Sequence, residues 1–381
     1  MGILDAPPVS RAELSTNYAR VGNLPTALTA ASGTNPYNQK HDLYNFKPEN
    51  TRRLRWSLAR ALSKQGICRW AFVGDSTVAG YSDPTYSVPR ILLDALERHG
   101  YPVAGTGPVV GNPGGSAGTM IDPRWSFTGT WTAQGGAASP NFVRTAAQTG
   151  ATATFTSDRK GTFVKLAHFS SAPVNWTLDG VAQTQIPASA ANQITYTTVS
   201  GLSDATHTLT LTTTSTANVN LVYGEVGYST YGLSFMNAGT NSTRAADWTN
   251  TTYYYGGPTT LAWLPHVTFI SLGHNDKNVG AGVDVATFKA STQTLIDNFK
   301  QSGSSNVILV CQNPNQTGDF SDYNKAKYEL ADSNNIPLID IYHRWGESYA
   351  TASATGFTAD GAHPSPIGYA DEATAFLSAI V

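Results

Sequence analysis

The stretch RWAFVGDSTVAGYSDP, residues 69–84, decides how the chain is read. Four largely apolar residues, Trp70, Ala71, Phe72 and Val73, run directly into Gly74-Asp75-Ser76, and more small residues follow. A short apolar run ending on glycine suits a strand buried on both faces, as in a parallel sheet covered by helices. Its end admits two readings. Ser76 is either a helix N-cap, a role serine fills often, or a nucleophile held at the rim of a sheet. The stretch itself does not choose between them.

Working outward, the flanks of this strand are helical. Leu54, Leu58, Ala61 and Leu62 recur at helical spacing, with Gly66 as a stop. Downstream, SVPRILLDALERHG (87–100) places Val88, Ile91, Leu92, Ala95 and Leu96 on one face and ends on Gly100. From residue 104 to 228 helical periods vanish and Thr, Ser, Ala and Gly dominate. Short alternating runs take over, among them ATATFT (151–156), TFVKLAHF (162–169), VNWTLDG (174–180), HTLTLTTT (207–214) and VNLVYGEV (219–226). Runs of this length, broken by turn signals such as LDG, predict an antiparallel β-sandwich of jelly-roll type.

After residue 229 strands and helices alternate again. HVTFISLG (266–273), NVILVCQ (306–312) and IPLIDIY (336–342) read as buried strands. DVATFKASTQTLIDNFK (284–300), SDYNKAKYELADS (321–333) and SPIGYADEATAFLSAIV (365–381) read as helices. The reading is a three-layer α/β/α domain with a mainly parallel sheet, interrupted by the sandwich. Its boundaries are an N-terminal arm (1–50), a first α/β segment (51–103), the insertion (104–228) and a second α/β segment (229–381). The arm is rich in Pro, Asn, Ser, Thr and Gly and lacks a period.

Bulk properties narrow the function. Of 381 residues only 13% are charged and the net charge is −2, so the concentrated basic surface that nucleic acid needs is missing. The basic run TRRLRWSLARALSK (51–64) reads as a solvated helix face. The two cysteines, Cys68 and Cys311, lie in or beside apolar runs and read as buried thiols. No apolar run approaches the ~18 residues of a membrane span. The start, MGILDAPPVSRAELSTNYARVG, has no basic segment followed by an apolar one and is read as carrying no secretory signal. No His, Cys or carboxylate cluster has metal-ligand spacing, so neither metal nor other cofactor is expected. GTGPVVG (105–111) is broken by Pro108 and fails as a dinucleotide loop, and the G-x-S-x-G elbow of α/β-hydrolases is missing.

Ligands of parallel α/β sheets bind beyond the carboxyl ends of the strands. Four such boundaries here carry polar residues suited to acyl transfer: Gly74-Asp75-Ser76, Asn237-Ala238-Gly239, Gly273-His274-Asn275-Asp276, and Asp360-Gly361-Ala362-His363. In this order the blocks GDS, NAG, GHND and DGAH resemble those of the SGNH (GDSL-like) hydrolase superfamily, over residues 68–100 and 229–381. The resemblance implies a Ser76–His363–Asp360 triad and an oxyanion hole built from the N–H groups of Ser76 and Gly239 and the amide of Asn275. Chemistry agrees with these roles. Serine needs a base to attack an ester, histidine supplies one near neutral pH, and a carboxylate fixes its tautomer. Donors aimed at the developing oxyanion contribute ~3 kcal/mol apiece. Asn275 and Asp276 also suit turn caps, Asp75 and Asp276 suit buttresses behind the reacting atoms, and His274 is either a substrate contact or a spacer.

The resemblance implies an esterase without cofactor. An acylated carbohydrate, acetylated above all, is the expected substrate, since the sandwich resembles carbohydrate-binding modules. Trp125, Trp131 and Trp176 would either stack on sugars or fill its core. A lipase or thioesterase acting on longer acyl chains is the alternative, as is a silent glycan- or receptor-binding module. The arm, the low charge and the Thr/Ser/Gly-rich insertion further resemble phage tail-associated proteins. That would place the chain among virion tail proteins, acting outside cells; otherwise it is cytoplasmic.

Overall fold

The computed structural model describes residues 42–380 apart from 81–85, 110–121, 137–138, 146–147, 190–193, 251–255, 279–281 and 304. The expected N-terminal arm therefore lies outside the described residues up to position 41. Its last part does not behave as an arm. Leu43–Tyr44 forms a short strand, β1, too brief to show a period in sequence.

The strand read from residues 69–84 is β2 (Ile67–Gly74). Ten strands of the insertion follow: β3 (Trp125–Thr128), β4 (Trp131–Gly136), β5 (Ser139–Thr145), β6 (Thr152–Thr156) and β7 (Gly161–Ser170). Then come β8 (Val174–Leu178), β9 (Val181–Ala182), β10 (Thr195–Ala205), β11 (Thr208–Thr213) and β12 (Val219–Gly227). The chain returns to the α/β part with β13 (Gly232–Gly239), β14 (Val267–Ser271), β15 (Asn306–Cys311) and β16 (Leu338–Asp340).

The α/β sheet has the order β1-β16-β15-β14-β2-β13. Five of its strands run parallel, and β1 pairs antiparallel with β16 at the edge. Parallel strands require helices on both faces. On one face Trp70, Phe72, Phe235, Phe269, Ile308 and Val310 pack against the helices Arg52–Leu62, Val88–Arg98 and Pro366–Ser378 through Leu54, Leu58, Leu92, Leu96 and Phe376. The alternate strand positions Ala71, Val73, Ile270, Leu309 and Cys311 are buried too, so the opposite face is also covered. This is the SGNH-like α/β fold, with an antiparallel edge strand that makes the sheet mixed. Leu62, expected on the apolar face of its helix, is instead half exposed at the last turn. Among the described residues no helix is long and apolar enough to cross a membrane.

The insertion forms two five-stranded sheets, β10-β7-β12-β5-β4 and β3-β6-β11-β8-β9. Their inward residues share one core that includes Phe155, Leu166, Leu209, Leu211 and Leu221. Trp125, Trp131 and Trp176 all belong to it and are at least nine-tenths buried, which answers their double reading in favour of packing. The LDG signal works as expected: Asp179 and Gly180 both have positive φ (51° and 79°), the requirement of a tight type I′ hairpin between β8 and β9. The start of the insertion differs from the expectation. Val103 and Val109 bridge in parallel to Leu233 and Asn237, so the chain lies along the edge of β13 before it enters the sandwich.

Phe269 carries much of the packing beneath the sheet. Its ring stacks on Phe72 at 4.7 Å and meets Phe376 at 5.1 Å. Phe269→Ala should cost about 3–5 kcal/mol of stability in urea unfolding. A loss below about 1 kcal/mol would show that this aromatic cluster is not what holds the layers together.

Candidate active site

β2 delivers Gly74 to the carboxyl edge of the sheet, where the chain turns into the short helix Ser76–Ala79. The N-cap is Asp75, not Ser76: its Oδ1 accepts from the Thr77 N–H at 2.9 Å and from the Thr77 hydroxyl at 2.8 Å. The capping role is thus taken, and the Ser76 hydroxyl is left for another partner. It donates to His363 Nε2 at 2.9 Å. The opposite ring nitrogen, Nδ1–H, faces both oxygens of Asp360 at 2.9 and 3.1 Å. This tautomer leaves Nε2 as the acceptor, as general-base action on a hydroxyl requires.

Asp360 is fixed before it meets the ring. Its Oδ1 accepts from the backbone N–H groups of Ala362 and His363, each at 2.7 Å. Burial alone would raise the Asp360 carboxyl, but these two N–H groups and the imidazole hold it below its ordinary value. The four-residue spacing of the block is therefore mechanical: the carboxylate closes a turn and supports the ring within it. Thr358 and Pro364 bridge the base of this loop, and Gly361 O accepts from Gln316 N–H at 2.7 Å.

The remaining block residues stand around the serine. Gly239 pairs with Gly74 at the end of β13, and a Cβ there would lie 2.2 Å from Ala79 N, so only glycine permits the helix of Ser76 to pack so closely. The Gly239 N–H donates to Asn237 Oδ1 at 3.0 Å. Gly273 needs its φ of +132° to leave β14. Asn275 Nδ2 donates one of its two hydrogens to Thr243 O at 3.1 Å. Asp276 accepts the Ala245 N–H with both oxygens, at 3.0 and 3.2 Å, and fastens the loop after β13 to that after β14. Burial pushes the Asp276 carboxyl up to about 6.

His274 is neither a substrate contact nor a spacer. Its backbone N–H donates to Gln312 Oε1 (2.9 Å), and its Nε2–H donates to Asn313 O (2.8 Å). Burial lowers it to about 4, so the ring is neutral and Nε2 carries its proton. Asn313 in turn donates from Nδ2 to Ala362 O at 2.9 Å, next to His363. Gln312 completes the lattice by donating to Asp75 Oδ2 at 2.9 Å. Sequence reasoning missed Gln312 and Asn313. The signal was available, for they follow β15 directly at the edge where the other polar blocks stand.

A second His–Asp pair shows what distinguishes the site. His207 Nδ1 meets Asp179 Oδ2 at 2.7 Å, but its Nε2 faces the carbonyls of Gly161 and Ser203 at 3.0 and 3.1 Å. An Nε2 that donates to carbonyls cannot take a proton from a hydroxyl. This pair pins the sandwich.

Comparisons with known proteins agree with the fold. The model of the GDSL-like lipase/acylhydrolase family matches residues 213–370. A peptidoglycan O-acetylesterase superposes with a TM-score of 0.66 at 14% identity, over 89% of this chain and 97% of the other. A two-domain esterase active on acetylated mannans superposes at 0.43, with 12% identity, over 87% of this chain and 56% of the other. A lipase/acylhydrolase from Enterococcus faecalis gives 0.33 at 24% identity, over 39% and 76%. No curated protein matches the sequence. The GDSL-like lipase/acylhydrolase match thus spans residues 213–370, and the fold is SGNH-like.

The raised Asp276 carboxyl gives a pH prediction. Between its ordinary value of 3.8 and about 6, the folded protein keeps a proton there that the unfolded chain releases. This group therefore makes stability fall as pH rises through that window and adds no further slope above it. Asp276→Asn, which cannot ionise, removes the decline. Relative to wild type, the variant should gain on the order of 2 kcal/mol between pH 4 and 7 in denaturant titrations. A wild-type-to-variant difference that stays constant over this range would contradict it.

Proposed function

We propose that the protein is a serine esterase that removes O-acyl groups, O-acetyl first among them, from a carbohydrate polymer. The observation that carries this reading is the Ser76–His363–Asp360 chain of hydrogen bonds at the carboxyl edge of the sheet. In this reading Ser76 Oγ attacks the ester carbonyl while His363 Nε2 takes its proton. Asp360 stabilises the imidazolium that forms. The carbonyl oxygen becomes an oxyanion, stabilised by the Ser76 N–H, which heads a helix and has no partner within it, and by the second amide hydrogen of Asn275. The Gly239 N–H joins them only by exchanging Asn237 Oδ1 for the substrate oxygen. Collapse expels the sugar alkoxide, which takes the proton from His363. Water, activated by the same imidazole, then releases the acid from the acyl-serine.

Acetyl rather than a long acyl chain is supported by the fold-wide likeness to a peptidoglycan O-acetylesterase. A virion-tail setting, with action on a host-envelope polymer outside the cell and other tail proteins as partners, rests on the composition of the arm and of the insertion.

Acetate release from O-acetylated polysaccharide and turnover of p-nitrophenyl acetate test the reading together. Ser76→Ala should lower kcat by about 10³-fold or more, and Asp360→Asn by about 10²- to 10⁴-fold with little change in KM. Release that survives Ser76→Ala would refute the assignment. A strong preference for p-nitrophenyl palmitate over acetate would move the protein to the lipases.

A further inference from the structure

A cavity of about 580 Å³ lies where the sandwich meets the α/β domain, and its described lining includes none of Ser76, Asp360 and His363. Its size is that of a small-molecule site. We propose that it binds a sugar unit of the polymer remote from the ester being cleaved. The inference deepens the esterase reading and rests on it.

The chemistry of the walls is that of a sugar site. Pro89, Val109 and Pro123 line it with apolar surface, which suits the C–H face of a pyranose. Opposite chemistry stands beside it. Arg90 donates to Asp158 and to Thr106 Oγ1, whose own hydroxyl donates to Asp158 Oδ2 at 2.9 Å. The Arg90 and Asp158 side chains keep 30% and 25% of their surface exposed, so both can still reach ligand hydroxyls. The neighbouring Asp122–Arg124 pair is different. It is buried, and it saturates itself through two 2.7 Å contacts and three backbone carbonyls, so it shapes the wall. A purely acyl ligand would leave this charged cluster unused.

The cavity also touches the catalytic machinery through one residue. Asn237 lines it, donates from Nδ2 to Ala79 O at 3.2 Å, and accepts the Gly239 N–H on Oδ1. Occupancy at this wall therefore bears on the helix that begins with Ser76. Binding energy from a remote part of a substrate can be used in this way at the reacting centre.

Ser126 and Thr156 are exposed at the cavity and away from the catalytic residues, so the double variant Ser126→Lys/Thr156→Lys narrows it with little risk to folding. It is assayed on p-nitrophenyl acetate and on whichever of O-acetylated peptidoglycan and acetylated xylan the wild type deacetylates faster. The expected result is kcat/KM on the polymer reduced at least about 10-fold, with p-nitrophenyl acetate turnover within about 2-fold of wild type. Equal losses on both substrates, or no loss on the polymer, overturn the assignment. So does a wild type active on p-nitrophenyl acetate but on neither polymer, and so does a selective loss on p-nitrophenyl octanoate. A wild type inactive on p-nitrophenyl acetate sinks the esterase reading instead.

Discussion

The contact from Ser76 Oγ to His363 Nε2, 2.9 Å long and spanning 287 positions of sequence, is the constraint around which the molecule is organised. Neither side chain could hold it alone. Ser76 is placed because β2 is gripped between β13 and β14 and because Asp75 caps the turn that follows. His363 is placed because Asp360 closes a loop on the backbone N–H groups of Ala362 and His363 itself. Between the two runs a buried lattice of hydrogen bonds, Asp75 to Gln312 to the His274 backbone, and His274 to Asn313 to Ala362. Every member is buried or nearly so, and in such surroundings each of these hydrogen bonds is stronger than it would be in water.

The sandwich is the other defining feature. It interrupts the chain between Ser76 and the remaining blocks, so residues that meet in space are far apart in sequence. The match to the GDSL-like family covers 213–370, which includes Gly239, Asn275, Asp360 and His363 but not Ser76. The sheet repairs this separation through one pairing: β13, the first strand after the sandwich, lies parallel to β2 with Gly239 opposite Gly74. The insertion thereby leaves the carboxyl edge of the sheet intact.

Much of this was legible in the residues. Continuous apolar strands such as Trp70–Val73 and Val307–Cys311 announce burial on both faces, and the blocks at their ends announce the site. What the residues hid has physical causes. β1 is two residues long, shorter than any period, and gains its place from pairing with β16 alone. Trp125, Trp131 and Trp176 look equally suited to sugar and to core, and only the second sheet packed over them decides. His274 reads as a variable position because its partner, the Asn313 carbonyl, is a backbone group that no side-chain pattern reveals. The engagement of the Gly239 N–H by Asn237 is likewise a contact within one loop that the block pattern does not encode.

The account stands on the Ser76 hydroxyl being the activated nucleophile. Incubation with a fluorophosphonate, followed by peptide mass mapping, measures this directly. One adduct per chain, on the peptide holding Ser76 and lost when His363 is replaced by alanine, is the predicted outcome. An adduct on another residue, or none in folded protein, would contradict it.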